Sequence, residues 1–286
     1  MIIPQTHTDQ LQLHNGYRIP CIGYGTYKTK TGEACEVIKT AVNAGYRHID
    51  TASYYHNEEG IGRGIAECGI PREDLFLTTK VWNADRGYDK TMASFEASLK
   101  ALNLEYLDLF LIHWPANYLE YGKEAKKINA DTWRALETLY REGRVKAIGV
   151  SNYLIHHIEA LMETAEIRPM VDQVELHPGW SQNGLLRFCH DNDIVVEAWS
   201  PMGRGTVLSN ETIVALAEKY GKSPAQLCLR WVIEHGAIPL PKSVTPSRMK
   251  DNLAVFDFRI SQEDMDALDA LEGIGGKCSR PDEIIL

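Results

Sequence analysis

The sequence predicts an α/β protein with a closed parallel (β/α)8 barrel, the TIM-barrel architecture, and three observations support this prediction. Eight strand-like segments alternate with helix-like segments, in a total length of about 250 residues that suits such a barrel. Segments 107–112, 145–150 and 194–199 are nearly continuous apolar runs, as expected of parallel strands buried on both faces. Polar side chains recur where these segments end. The predicted strand ends are Thr26, Asp50, Lys80, His113, Ser151, Glu175, Ser200 and Leu240.

Two further kinds of element accompany the predicted barrel strands. Residues 11–19 alternate between apolar and polar around Asn15-Gly16, which predicts an N-terminal β-hairpin. Amphipathic stretches at helical spacing follow the strands, with a pair of helices before the last strand and extra helices beyond the eight-unit pattern. One of the pair begins at Ser223-Pro224, an N-cap followed by proline in the first turn. The six other predicted helices are 33–44, 57–68, 90–101, 130–141, 154–162 and 184–190.

An open doubly wound sheet is the alternative that periodicity alone leaves open. Its dinucleotide-binding version needs a glycine fingerprint after the first strand, and Gly23-Tyr-Gly-Thr26 stops short of it. The glycines at 60, 62 and 64 lie inside a helical pattern instead. No linker, repeat or low-complexity tract divides the chain, so we expect a single barrel domain over residues 1–286.

Composition excludes several partners. The net charge of −9 disfavours nucleic acid and anionic membranes, so any anionic ligand needs a local basic cluster. The six cysteines are scattered without a C-x-x-C motif, which is typical of reduced thiols in a cytosolic protein. The N-terminal residues lack the pattern of a signal peptide, and no apolar run approaches the length of a membrane span. We therefore expect a cytoplasmic protein, and a monomer, because no long apolar stripe is evident.

Four candidate catalytic residues, Asp50, Tyr55, Lys80 and His113, lie at or just after the ends of the second, third and fourth strands. In a barrel these ends share one face, where the active site lies. Reduction of a carbonyl needs such a set, because the oxygen must receive a proton as hydride reaches the carbon. Tyr55 is the predicted proton donor, Lys80 held by Asp50 would stabilise its phenolate, and a neutral His113 would orient the carbonyl oxygen.

A metal-dependent barrel hydrolase is a competing interpretation. His48 with Asp50, and Glu175 with His177, have the spacing of possible ligands on a strand. However, Lys80 would place an ammonium where the cation should bind. We therefore predict no metal site.

At this point the sequence resembles the aldo-keto reductases, through motifs that span essentially the whole chain. Within that family it is most similar to the prostaglandin F synthase and 2,5-diketo-D-gluconate reductase group. The resemblance implies an NADPH-dependent barrel and assigns the catalytic tetrad to Asp50, Tyr55, Lys80 and His113, with Tyr55 rather than Tyr54 at the family's Tyr-x-Asn-Glu spacing. The motifs are Gly45-Tyr-Arg-His-Ile-Asp-Thr-Ala-Ser-Tyr-Tyr-His-Asn-Glu58, Leu109-Phe-Leu-Ile-His-Trp-Pro115, Gly149-Val-Ser-Asn152 and Ile238-Pro-Leu-Pro-Lys-Ser-Val-Thr245.

The resemblance also implies a cofactor site for NADPH or NADP+. Amide and hydroxyl side chains would hold the nicotinamide carboxamide, an indole would stack on its ring, and the following loop would cover the pyrophosphate. A basic cluster with a hydroxyl suits the 2′-phosphate of NADP, because arginine can bind phosphate in bidentate fashion. The implied residues are Thr26, Asp50, Ser151, Asn152, Gln173, Trp199, Ser200, Pro201, Met202, Gly203, Lys242, Ser243, Arg248 and Asn252.

The substrate positions implied by the resemblance are Tyr27, Trp82, His113 and Trp114. An aromatic pocket admits flat or apolar aldehydes, ketones and quinones. The predicted partner is therefore a small-molecule carbonyl substrate, reduced with NADPH. The alternative within the same fold is a non-catalytic barrel that binds NADP(H) as a regulatory sensor.

Overall fold

A computed structural model describes residues 3–276 and 280–285. It contains an eight-stranded parallel sheet whose strands lie side by side in their order along the chain. Each strand pairs in parallel with its sequence neighbours, as the alternating pattern predicts. The (β/α)8 fold is therefore confirmed. The strands are β3 (Tyr24–Gly25), β4 (His48–Asp50), β5 (Phe76–Val81), β6 (Leu107–Ile112), β7 (Val145–Ser151), β8 (Val171–Glu175), β9 (Val195–Trp199) and β10 (Ile238–Leu240).

Two backbone hydrogen bonds join the first barrel strand to the last. The Gly23 amide donates to the Pro239 carbonyl and the Gly25 amide to the Pro241 carbonyl, both at 3.0 Å. Gly23 allows this approach, since a Cβ there would lie 2.5 Å from Leu240 Cδ2 and 2.7 Å from His48 Nδ1. The contacts bring β3 and β10 together, so the ends of all eight strands face one another.

The predicted N-terminal hairpin is present as β1 (Gln10–Gln12) and β2 (Arg18–Pro20), paired antiparallel. It packs over the amino ends of the barrel strands. The Tyr17 ring lies 6.1 Å from the Phe76 ring, and its hydroxyl donates to Asp108 Oδ1 at 2.6 Å. The hairpin therefore covers the end of the barrel opposite the strand carboxyl ends.

Helices connect and surround the strands, and all eight helices predicted between strands are present with shifts of a few residues at most boundaries. Ser223 caps its helix as expected, in a capping box with Gln226. No position was predicted for the three helices at Tyr118–Tyr121, Pro246–Leu253 and Gln262–Asp269. The helices are α1 (Thr31–Ala44), α2 (Glu58–Glu67), α3 (Tyr88–Leu102), α4 (Tyr118–Tyr121), α5 (Glu124–Arg141), α6 (Ile155–Met162), α7 (Asn183–Asp191), α8 (Glu211–Lys219), α9 (Pro224–Glu234), α10 (Pro246–Leu253) and α11 (Gln262–Asp269).

None of the helices within residues 3–276 and 280–285 is long and apolar enough to cross a membrane. The cysteines of this part of the chain are free thiols, which agrees with the predicted reduced state. They are Cys21, Cys35, Cys68, Cys189 and Cys228, whereas Cys278 lies outside the described residues.

The glycines of α2 are packing residues rather than phosphate ligands. A Cβ on Gly60 would lie 2.7 Å from Ala34 Cβ, and one on Gly64 would lie 2.7 Å from Ile38 Cβ, both in α1. On Gly62 it would lie 2.2 Å from the carbonyl oxygen of Leu102, at the end of α3. Helix α2 thus approaches two neighbours as closely as its backbone permits.

We predict that Gly62→Ala lowers the free energy of unfolding by about 2–3 kcal/mol, because the obstructing atom is a backbone oxygen that cannot turn aside. Gly32→Ala in α1 is the matched control. A Cβ there meets nothing within 4 Å, so alanine should raise stability by up to about 1 kcal/mol. Urea unfolding of both variants measures the two changes, and equal effects would contradict the packing explanation.

Candidate active site

A cavity of about 980 Å³ opens at the carboxyl ends of the barrel strands. It brings together most of the residues predicted from the sequence, although they come from every part of the chain. Its wall includes Tyr27, Asp50, Tyr55, Trp82, His113, Trp114, Ser151, Asn152, Gln173, Trp199, Ser200, Pro201, Met202, Lys242, Ser243, Arg248 and Asn252.

A buried ion pair forms the base of the site. Lys80 has no exposed surface, and its ammonium donates to Asp50 Oδ1 at 2.8 Å, to Asp50 Oδ2 at 2.7 Å and to the Thr51 carbonyl at 2.8 Å. These bonds use all three ammonium hydrogens. Burial disfavours the charged ammonium, but the charge and hydrogen bonds of Asp50, with smaller contributions from Tyr55 and Glu197, together outweigh it and raise the pKa of Lys80. Lys80 therefore carries a fixed positive charge.

Tyr55 lies directly above this pair, half-buried in the cavity wall. The Lys80 ammonium is 5.2 Å from the centre of its ring. Burial raises the pKa of Tyr55 to about 12, and the Lys80 charge acts in the opposite direction. At neutral pH the phenol is therefore protonated and has a proton to give, while Lys80 reduces the cost of losing it.

The neighbouring phenol has a different environment. Tyr54 is exposed, and its ring stacks on Trp82 with a centroid distance of 3.8 Å. Tyr55 instead packs 5.8 Å from the His113 ring and 5.0 Å from the Tyr27 ring. The two tyrosines thus divide the wall between them, Tyr55 above the ion pair and Tyr54 at the rim.

His113 lines the same part of the cavity from the end of β6. Burial, together with the charges of Lys80 and Arg86, holds the pKa of His113 well below its usual range. The ring is therefore neutral. Its Nδ1 is buried without a partner among the described residues, which leaves Nε2 as the nitrogen that can donate into the cavity.

A second buried carboxyl lies in the barrel beside the ion pair, and sequence reasoning missed it. Glu197 is fully buried; its Oε2 accepts from Gln173 Nε2 at 2.8 Å, and its Oε1 is 3.4 Å from His48 Nε2. Burial and then the Asp50 charge raise the pKa of Glu197 to about 8. The available signal was a charged residue inside the otherwise apolar run 194–199.

Backbone strain marks the cavity edge at the ends of β7 and β9. Asn152 and Ser200 have φ of 62° and 49°, in the left-handed region that non-glycine residues rarely adopt. Asn152 Nδ2 donates to the His113 carbonyl at 2.9 Å, and its Oδ1 accepts from Trp199 Nε1 at 2.9 Å. These bonds fix an amide and an indole face side by side in the wall.

The basic cluster lies at the other end of the cavity, around the start of α10. Lys242 and Ser243 follow β10, and Arg248 is in the first turn of α10. Within the described residues neither basic side chain forms an ion pair, and both line the cavity, as does Asp251 of α10. The helix N-terminus adds partial positive charge, which suits a phosphate.

Several wall residues had no predicted role. Lys28 and Arg204 add two cations, and Ile284 brings the C-terminal segment to the aromatic end. The Arg204 guanidinium lies 6.0 Å from the Tyr27 ring and 5.8 Å from the Trp199 ring. It therefore spans the cleft between the loops that follow β3 and β9.

Three predicted site residues do not form part of the cavity wall. Lys80 acts from beneath Tyr55. Thr26 is fully buried, and its hydroxyl donates to the Asp50 carbonyl at 2.9 Å, so it supports β4 from behind. Gly203 is also buried, and its φ of 52° turns the loop after β9. The cofactor contacts of these two buried residues stay predictions.

Two of the four residues considered as metal ligands, Asp50 and His48, have hydrogen-bond partners. Both oxygens of Asp50 accept from Lys80, and His48 Nε2 lies 3.1 Å from the Thr78 hydroxyl. The other two face each other: His177 Nε2 lies 3.4 Å from Glu175 Oε1, and neither atom has a hydrogen-bond partner among the described residues.

His156, His157 and Asp282 form a separate surface group within the described chain. There His157 Nδ1 accepts from the Leu154 amide, so the ring proton is on Nε2 and faces Asp282. That nitrogen is a hydrogen-bond donor rather than a metal ligand.

Comparison with known proteins gives a consistent result. A model described as the aldo/keto reductase family matches residues 21–272. The chain is 50% identical over 284 residues to the glyoxal reductase of Bacillus subtilis (strain 168), covering 99% of this chain and 100% of that protein. It is 48% identical over 271 residues to the 9,11-endoperoxide prostaglandin H2 reductase of Trypanosoma cruzi (strain CL Brener), covering 92% and 93%.

Solved structures agree with the sequence relatives. A crystal structure of a Gox0644 mutant in complex with NADPH matches with a TM-score of 0.89 and 40% identity, covering 98% of this chain and 99% of that one. The Bombyx mori aldo-keto reductase in complex with NADP matches with a TM-score of 0.85 and 34% identity, covering 93% and 94%.

We predict that Glu197→Gln changes how stability depends on pH. Glutamate in an unfolded chain loses its proton near pH ~4.3, whereas folded Glu197 keeps it until about pH 8. Rising pH therefore favours unfolding of the wild type between these values, and glutamine removes this contribution. The difference in free energy of unfolding between the variant and the wild type should therefore increase, in favour of the variant, by up to about 1.4 kcal/mol per pH unit from about pH 5 to pH 8.

Urea unfolding of both proteins at several pH values measures this difference. The gap should stop widening above about pH 9, where the carboxyl is ionised in both states. Parallel pH profiles for the two proteins would contradict the assignment of a protonated Glu197.

Proposed function

The chain belongs to the aldo/keto reductase family and is an NADP-dependent oxidoreductase, and on this premise we propose that it reduces aldehydes and ketones with Tyr55 as the proton donor. The observation that carries the proposal is the placement of Tyr55 above the buried Asp50–Lys80 pair, in the same cavity as a basic cluster.

The residues of this cavity fit NADPH along its length. Lys242, Ser243 and Arg248 would hold the 2′-phosphate, with Asn252 beside the adenine. Ser200, Pro201 and Met202 line the cavity between this cluster and the tetrad, where the pyrophosphate would lie. Ser151, Asn152, Gln173 and Trp199 would hold the nicotinamide end. When bound, NADPH supplies a hydride to the carbonyl carbon.

Tyr55 then completes the reduction at the carbonyl oxygen. Its phenol is protonated at neutral pH and half-buried, so its Oη can donate to the oxygen as negative charge develops there. The phenolate left behind lies beside the Lys80 ammonium, whose charge favours it. Asp50 holds the ammonium in place, so the favourable charge needs no rearrangement during the reaction.

His113 orients the substrate. A neutral imidazole can donate one hydrogen bond from Nε2 to the carbonyl oxygen without competing with Tyr55 for the proton transfer. Its lowered pKa keeps it neutral at physiological pH. The oxygen would thus meet two donors, Tyr55 Oη and His113 Nε2, from opposite sides of the wall.

The substrate end of the cavity favours small carbonyl compounds that can lie against aromatic rings. Tyr27, Tyr54, Trp82 and Trp114 form this wall, with Ile284 closing one side. A 50% identical relative is named glyoxal reductase, so dicarbonyls of that size are the substrates to test first. A 48% identical relative is named 9,11-endoperoxide prostaglandin H2 reductase, so the test panel also includes a prostaglandin endoperoxide.

We predict that Tyr55→Phe lowers the turnover number by about 10²–10⁴-fold, the usual contribution of a positioned general acid. NADPH binding should be retained, because the ring stays and only the hydroxyl is lost. Loss of NADPH absorbance with glyoxal measures turnover, and tryptophan fluorescence measures cofactor binding.

Tyr54→Phe is the matched control for this variant. It removes the neighbouring hydroxyl and keeps the ring that stacks on Trp82, so turnover should stay near the wild-type value. Undiminished reduction by Tyr55→Phe would contradict the mechanism. Wild-type protein that binds NADPH but never consumes it with any carbonyl would instead indicate a cofactor sensor.

A further inference from the structure

The Gln173 side chain is held by two carboxyl groups from different strands. A single atom, Nε2, donates to Asp50 Oδ2 at 2.8 Å and to Glu197 Oε2 at 2.8 Å. An amide nitrogen has two hydrogens, so both are used. Gln173 thus lies between the second strand of the barrel and the seventh, as a bridge across its interior.

This arrangement determines which end of the amide faces the cavity. The Gln173 side chain lines the cavity, and both hydrogen bonds that it forms with the described residues come from Nε2 rather than Oε1. The reversed amide would set Oε1 against Asp50 Oδ2, an oxygen that already serves as acceptor for Lys80. Two acceptors at hydrogen-bond distance repel each other, so Asp50 excludes the reversed amide, and Glu197 Oε2 accepts the second Nε2 hydrogen in the orientation that remains.

Glu197 has its own support for this position. It is fully buried in β9, and its other oxygen is 3.4 Å from His48 Nε2, whose ring is in turn packed against Gly23 and Phe76. Burial among these groups leaves Glu197 no path to solvent. Within residues 3–276 and 280–285, the Gln173 amide is the one hydrogen-bond donor to Glu197 Oε2.

We infer that Glu197 is a positioning residue for the nicotinamide ring: together with Asp50 it locks the Gln173 amide so that Oε1 accepts a hydrogen bond from the carboxamide NH2 group of NADP(H). The inference rests on the proposed cofactor site. It adds that Gln173 acts there only as an acceptor. A carboxamide held by an acceptor on one side has a fixed rotation, which in turn fixes the ring face presented to the substrate.

Binding of a cofactor analogue tests this fixed orientation of the Gln173 amide, which we call the lock. 3-Acetylpyridine adenine dinucleotide phosphate carries a methyl group where NADP+ has the carboxamide NH2, so it lacks the hydrogen that Gln173 would accept. Tryptophan fluorescence quenching gives the Kd of each compound. The wild type should bind NADP+ about 10-fold more tightly than the analogue, the value of roughly one buried hydrogen bond.

Glu197→Gln replaces the carboxyl oxygen that accepts from Gln173 by an amide that can turn either its oxygen or its NH2 group toward it. The Gln173 amide is then held by Asp50 alone, and the preference for NADP+ should fall to about 3-fold or less. Glu197→Asp, which withdraws the carboxyl by one methylene, should give the same fall and serves if the first variant does not fold. If Glu197 had only a structural role, its replacement would weaken the binding of NADP+ and of the analogue equally. The ratio of the two Kd values would then stay unchanged.

Asp172→Asn is the matched control. Asp172 precedes Gln173 in β8, so its buried carboxyl points to the opposite face of the strand, away from the barrel interior. This variant should keep the wild-type ratio of the two Kd values.

Gln173→Met is the reference variant without the amide oxygen. It should bind NADP+ and the analogue equally well. A wild-type ratio in folded Glu197→Gln and Glu197→Asp would overturn the lock while leaving the proposed reductase intact. A wild-type ratio in Gln173→Met would overturn the placement of the carboxamide beside Gln173, and the inference with it. Catalysis by Tyr55 is measured separately and does not affect these outcomes.

Discussion

The organisation of this site depends on one interaction, the buried ion pair between Asp50 and Lys80. An ammonium without exposed surface is tolerated only because a carboxylate and a backbone carbonyl accept all three of its hydrogens. Removing either partner alone would leave an uncompensated buried charge, at a cost of about 3–5 kcal/mol. The barrel provides the geometry, since β4 and β5 are neighbours and their ends lie side by side.

Burial is the main cause of the protonation states of the neighbouring ionisable groups, and the charges of this pair modify them. The Lys80 charge helps to keep His48 and His113 neutral, and it partly offsets the effect of burial on Tyr55. The Asp50 charge contributes to the raised pKa of Glu197, so the interior does not hold two carboxylates against one ammonium at neutral pH. Burial thus keeps the Tyr55 phenol protonated against the Lys80 charge, and burial together with that charge keeps the His113 imidazole neutral.

The sequence predicted the parts of this site that follow from strand order. Asp50, Lys80 and His113 were identifiable because polar residues interrupt apolar runs at their ends, where a barrel gathers them. Glu197 was missed because it lies inside such a run, and only pairing across the barrel gives it partners. Helix α10 was missed although Thr245-Pro246 is a recognisable start signal, so the position of Arg248 in the first turn of a helix was not predicted. Sequence spacing does not tell whether a residue at a strand end contacts the cavity. The burial of Thr26 and Gly203 was therefore not predicted.

The most direct test of this account compares Lys80→Met with the double variant Asp50→Asn/Lys80→Met. Replacing a buried ion pair by neutral groups can be nearly neutral for stability, so the double variant should regain much of the stability that the single variant loses. Catalysis should not return, because the positive charge beside Tyr55 is absent in both. Single-turnover reduction at saturating NADPH should remain at least about 10²-fold slower than in the wild type. A double variant that reduces substrate at the wild-type rate would contradict the central role of the ion pair.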